Sequence, residues 1–278
     1  MEFTGFRPET FQFFEDLSAN NDEAWFDDNQ PAFEEFVLEP MRGLVEDLRE
    51  PLNELAPGLI ADDVDAHFSE MRRGPRTPPG TPPLKTSMYA FFWDQGLRRL
   101  ADGNLFVGVS AQGATIGFSI YDFGDPQSRM RRVFKPRLLR NLALLDEHIK
   151  GNYLRRGFDF HRYVRAASRL GMREVEAFPT VPSEWESTLG WVARRHLHTE
   201  SSRLTPGSFV GEVIESFQRL YPLYVFASDP GEDFHRILKP PKKAGKKRRS
   251  ASSTHKKKSG RSARETGPRV ARTAARAR

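Results

Sequence analysis

Four cations crowd into one short segment, Arg72, Arg73, Arg76 and Lys85, and residues 72–84 of that segment also hold five prolines and two glycines. Guanidinium forks grip carboxylate or phosphate oxygens through paired charge-assisted hydrogen bonds, and prolines restrict the loop that presents them. The chemistry this suggests is anion binding; the plainer alternative is a solvated loop whose cations pair with acids such as Asp62, Asp63 and Asp65. A second basic cluster, Arg194, Arg195, His196 and His198, falls on an expected strand. Alternation there sends Arg194, His196 and His198 to one face and Arg195 to the other. Two histidines at i, i+2 can hold a metal or carry protons, but no HxxxH, HExxH or Asp-rich segment accompanies them, so no metal and no cofactor is expected. His67 and His161 read as packed or surface histidines. With no cysteine, no G-x-S-x-G elbow and no GxxxxGK[ST] loop, thiol chemistry is excluded, and neither the serine-hydrolase nor the P-loop signature is present. Gly108 and Gly113 read as backbone requirements of a hairpin. The candidate ligand-binding set is therefore Arg72, Arg73, Arg76, Lys85, Arg194 and His196, with no catalytic residue assigned.

The elements that must position these residues follow from hydrophobic spacing. Phe11, Phe14 and Leu17 after Pro8 predict a first helix, which Asn20 and Asn21 end, with Asn21 or Asp22 capping the next. A longer apolar stripe from Phe33 to Leu55 predicts a helix that Pro40 and Pro51 should kink or divide. Val64, Ala66 and Phe68 alternate and suggest a strand; residues 72–84 cannot be regular. Met88–Trp93, then Leu105, Val107 and Val109, then Ile116, Phe118 and Ile120 predict strands, the last two forming a hairpin at Gln112-Gly113. A helical stripe from Val133 to Ile149 follows, interrupted at Pro136. Weaker strands are expected at 154–164 and 192–198, with a Ser183/Glu186 capping box between them and a last amphipathic helix from Thr205-Pro206. Helices, then a run of strands, then mixed elements argue for an α+β fold, an antiparallel sheet packed with helices, rather than a parallel βαβ fold.

The sequence FEDLSANNDEAWF resembles the start of the uncharacterised domain of unknown function 2461 family, with Phe14, Leu17, Asn20, Asn21, Trp25 and Phe26 at the signature spacing. The family's second signature, an Arg-rich strand and loop ending Ser-Pro-Tyr-Lys-Thr, is met by FSEMRRGPRTPPGTPPLKT, with Arg73, Arg76 and Lys85 on its basic positions and Pro83, Lys85 and Thr86 closing it. Gly74 and Gly80 stand where the family has acids, Thr81 where it has lysine, Leu84 where it has tyrosine, and Thr77-Pro78 where it has Phe-Ser. The resemblance covers about 1–225 and implies an α+β fold of unassigned activity. It supplies no reaction.

Charge divides the chain. The 278 residues carry 43 Lys+Arg and 37 Asp+Glu for a net +6, yet residues 239–278 hold 16 basic residues and only Glu265, a net +15. Residues 1–238 are left at −9, with aromatic residues enough for a core. The expected organisation is one domain over 1–238 and a disordered Lys/Arg-rich tail over 239–278, which cannot bury enough apolar surface to offset chain entropy. Such a tail suits non-specific association with nucleic acid by counterion release, without aromatic residues for base stacking. The longest apolar run, Met88–Trp93, is far shorter than the roughly 20 residues of a bilayer span, so no membrane partner is expected. The start, MEFTGFRPET, has neither a basic n-region nor an apolar h-region, so a cytoplasmic protein is expected. The sequence leaves three functions open: binding of an anionic small molecule or polyanion, an enzyme acting on a phosphorylated or carboxylated substrate with His196 or His67 as proton carrier, and a protein interaction module.

Overall fold

A computed structural model describes residues 2–75, 77–99, 101–142, 150, 153, 155–165, 172–176 and 178–228; the 239–278 tail, Arg76, Leu145 and Ile149 lie outside them. Helix α1 (Pro8–Ala19) opens on Pro8, where a missing N–H costs nothing, and ends at Asn20. Asp22 caps α2 (Glu23–Asp28), its side chain accepting from the Trp25 N–H at 2.8 Å. The short α3 (Gln30–Phe33) runs into a π-helical turn, Glu34–Leu38, and then α4 (Glu39–Leu55). Proline explains that wide turn: Pro40 cannot donate to the carbonyl of Phe36, and the hydroxyl of the buried Thr10 donates to it instead at 2.6 Å. Pro136 follows a second π turn, Met130–Phe134, at the start of α5 (Lys135–Arg140). Pro51 lies inside α4, which continues to Leu55.

Six strands form one sheet: β1 (Ser87–Phe92), β2 (Asn104–Ser110), β3 (Gly113–Tyr121), β4 (Asp159–Arg165), β5 (Met172–Glu176) and β6 (Thr188–His198). Every pairing is antiparallel, in the order β1-β2-β3-β6-β4-β5. Between β5 and β6 lies α6 (Pro182–Ser187), and α7 (Pro206–Ser228) closes the described chain. Alternation gives the sheet two faces. Met88, Ala90 and Phe92, with Ile116, Phe118 and Ile120, belong to the core on which α7 packs, Phe92 meeting Phe217 at 5.4 Å between ring centroids. Burying a side chain such as Phe217 contributes about 1.5–3 kcal/mol. Tyr89, Phe91, Ser119 and Tyr121 point to the opposite face.

The fold is α+β, and three local expectations need correction. Residues Val64–His67 form a 3-10 turn, and only Phe68 pairs with β1, through Ala90. The capping box before β6 is not Ser183 with Glu186: Val181 takes the cap position, and the Glu184 carboxylate accepts from the N–H of Thr180 at 2.8 Å. Gly108 is not a turn residue. It sits mid-strand under the Tyr89 ring, where a Cβ would come within 2.2 Å of the ring carbons, whereas Gly113, with φ +127°, does supply the hairpin turn. Strand β5 has no counterpart among the expected elements.

Candidate functional site

On the sheet face turned away from α7, a cavity of about 330 Å³ is lined by Ser69, Lys85, Tyr89, Phe91, Arg99, Asp102, Asn104, Ser119, Tyr121 and Phe123. Each wall has a structural cause. Segment 67–69 is stitched to the edge of β1: the Ser69 N–H donates to the Tyr89 carbonyl at 2.8 Å, and the Tyr89 N–H donates to Ser69 Oγ at 3.1 Å. Lys85 arrives at the end of the Pro-rich loop, whose two ends pair: the Arg73 N–H donates to Pro83 and the Lys85 N–H to Met71, each at 2.8 Å. The rings of Tyr89 and Tyr121 lie over Gly108 and Gly190, whose missing side chains leave room for them. Tyr89 stacks with Phe91 (centroids 5.8 Å) and Tyr121 with Phe123 (5.2 Å).

Two cations face this cavity. Lys85 Nζ donates to the Glu70 carbonyl at 2.6 Å, and Arg99 donates to the Phe68 carbonyl at 3.0 Å while its guanidinium lies 5.6 Å from the Phe91 ring centre. Neither forms an ion pair among the described residues. Burial, then repulsion from Arg73 and Arg99 working against the attraction of Glu70, holds the Lys85 ammonium below the usual lysine range. Behind them Asp102, 1% exposed, accepts from the Tyr224 hydroxyl at 2.7 Å and the Ser228 hydroxyl at 2.8 Å, tying the end of α7 to the β1–β2 loop. Burial pushes its carboxyl up. Burial also pushes the Tyr121 phenol up.

The family model that matches residues 9–226 is described as conserved hypothetical protein, domain of unknown function 2461. The chain belongs to this family. Its two signature segments meet beside the cavity: Asn21, from the first, grips the backbone of Leu84, from the second, immediately before Lys85. Phe14, Leu17 and Phe26 of the first signature are buried, and Trp25 packs on Phe13. No curated protein matches the chain.

Of the six residues singled out from sequence, Arg76 lies outside the described residues, and of the other five the structure brings only Lys85 to this cavity. Arg72 is exposed, paired with Asp27 and lying over the Phe26 ring. Arg73 is exposed beside it and has no side-chain partner among the described residues. Asp65, a candidate partner for the loop cations, instead receives two hydrogen bonds from Arg42, at 2.8 and 2.7 Å. Alternation along β6 is as expected: Arg194 reaches Glu174 at 2.9 Å on one face, and Arg195 meets Glu212 at 2.6 Å on the other. His196 accepts from the Thr115 hydroxyl at 3.1 Å and donates to the Gln112 carbonyl at 3.0 Å. His67, fully buried, donates to the Phe91 carbonyl at 2.7 Å and accepts from the Ala61 N–H at 2.9 Å. Both candidate proton carriers thus have both ring nitrogens engaged. Among the described residues no group of three or more His, Asp or Glu is arranged to hold a metal, and no helix is long and apolar enough to cross a membrane.

Arg99, Asn104, Ser119 and the aromatic walls were not singled out from sequence. The signal was present in the strands: Tyr89 and Phe91, then Ser119 and Tyr121, occupy the positions between the apolar ones, so their alternation marks a second face that is aromatic and polar.

Proposed function

We propose that this chain binds a small ligand bearing an anionic group, seated on the aromatic sheet face with its charge at Lys85 and Arg99. One observation carries this reading: Lys85 and Arg99 line a single cavity and, among the described residues, donate to backbone carbonyls and form no ion pair, Glu70 and the buried Asp102 being the carboxylates near them. An anion between them would replace repulsion with charge-assisted hydrogen bonds. Arg73, which also repels Lys85, adds to the local potential. The test is titration calorimetry with inorganic phosphate and citrate against their uncharged analogues. Lys85→Met should weaken the best anion by roughly ten- to a hundredfold, the equivalent of one charge-assisted hydrogen bond. Equal affinity in the variant would overturn the reading.

A second reading rests on the sequence of 239–278 alone. With 16 basic residues against one acid, that segment is proposed to hold the chain near nucleic acid without sequence preference.

A further inference from the structure

We infer that the pocket selects a planar heterocycle carrying both an anionic substituent and a hydrogen-bond donor on its ring edge, the class that adenosine 5′-monophosphate represents. The inference rests on the anion reading above and adds two features that an anion alone would not require. The first is the pair of aromatic walls. Tyr89 with Phe91 rises from β1 and Tyr121 with Phe123 from the end of β3, and four aromatic rings lining one cavity offer π surface suited to a flat ring.

The second feature is the pocket floor. Asn104 and Ser119 are cross-strand neighbours in the β2–β3 register, 6% and 2% exposed. The Asn104 amide nitrogen donates to the carbonyls of Arg99 and Asp102, each at 3.3 Å, which fixes the amide so that its oxygen is the atom left over. That oxygen and the Ser119 hydroxyl have no hydrogen-bond partner among the described residues. A buried acceptor without a donor is costly, and an occupant that supplies the donor recovers the loss. Phosphate dianions and carboxylates bring only acceptors: they can accept from the Ser119 hydroxyl but cannot donate to the Asn104 oxygen. A ring amine can. The cavity's 330 Å³ stands at the small end of ligand pockets, which span about 300–1,000 Å³, so a mononucleotide-sized molecule is in scale and a polymer is not.

The experiment compares, on the full chain, adenosine 5′-monophosphate, purine riboside 5′-monophosphate (the same molecule without the ring amine) and ribose 5-phosphate (the same anion without the ring). Adenosine 5′-monophosphate should bind at least about tenfold tighter than ribose 5-phosphate, and loss of the amine should cost about tenfold, as for a site whose polar group is left unpaired. Ser119→Ala and Asn104→Leu should shrink the preference for the amine while leaving ribose 5-phosphate affinity unchanged. Should Asn104→Leu not fold, the wild-type amine comparison and Ser119→Ala decide the matter. If the three probes bind equally and Lys85→Met weakens all of them, the heterocycle inference falls and the anion reading stands. If none binds, or binding ignores Lys85→Met, both fall.

Discussion

Asn21 holds Leu84 by both of its backbone groups: the side-chain amide donates to the Leu84 carbonyl at 3.2 Å, and the side-chain oxygen accepts from the Leu84 N–H at 2.9 Å. The contact spans 63 positions of sequence and does the work of a strand pairing from the corner between α1 and α2. It fixes the last residue before Lys85, so the aspect of the Asn-Asn signature that bears on the pocket is long-range.

Replacing Asn21 with Ala would leave a donor and an acceptor of Leu84 without their protein partner. We expect a loss of about 1–3 kcal/mol in urea unfolding, together with weaker anion binding through a displaced Lys85. Unchanged stability would show that water satisfies Leu84 equally well.

Lys85 and Arg73 should separate in their effects. Lys85→Met should remove most anion affinity, with the unliganded melting temperature moving little, because repulsion from Arg73 and Arg99 is lost together with the attraction of Glu70 and the hydrogen bond to its carbonyl. Arg73→Ala, at an exposed position outside the cavity lining, should change affinity by no more than about threefold at physiological salt. Because burial lowers the Lys85 pKa, anion affinity should decline as pH rises into a range below that of an ordinary lysine; a flat profile there would contradict its role.

His67 should make the fold sensitive to mild acid. Burial depresses its imidazole pKa, so as pH falls below about 6.5 the unfolded chain takes up a proton that the folded chain resists. The stability associated with neutral His67 is present above that pH and lost on acidification, by up to about 1.4 kcal/mol per pH unit. His67→Gln should flatten this slope in pH-dependent melting. An unaltered slope would assign it to other groups.

Arg195 and Glu212 approach to 2.6 Å with little exposure, in an orientation that is close ionic contact rather than an aligned hydrogen bond. Glu212→Ala should leave the guanidinium under-compensated and cost about 3–5 kcal/mol at most, Arg203 at 3.5 Å being the other cation released. Chemical denaturation measures this directly, and a loss under about 1 kcal/mol would mean that solvent screens the pair.

A chain ending at Leu238 should melt within a few degrees of the full chain and lose salt-sensitive affinity for nucleic acid. Retained affinity in the shortened chain would move that activity to the folded residues.

Much of the architecture was legible in the sequence because it is a consequence of local periodicity. The spacing of Phe11, Phe14 and Leu17, the alternation through Ile116, Phe118 and Ile120, and the glycine at 113 each specify an element by what a helix, strand or turn can bury or tolerate. The split of Arg194 from Arg195 followed from the same rule. Where several residues compete for a role, local pattern was insufficient: Glu184 rather than Glu186 supplies the capping carboxylate, and Val64–His67 form a 3-10 turn in which His67 bonds sideways to Ala61 and Phe91. The pocket belonged to tertiary structure altogether. Lys85, Arg99, Asn104 and Ser119 come from a loop end, a connection and two strands, and nothing in their spacing states that they meet. Charge density in the sequence drew attention to Arg72–Lys85, but whether a cation is free or neutralised depends on partners far along the chain, such as Asp27 for Arg72. Sequence determined which residues could carry charge and which faces could be buried; the folded chain decided which charges lack a partner, because pairing is a property of distance in space.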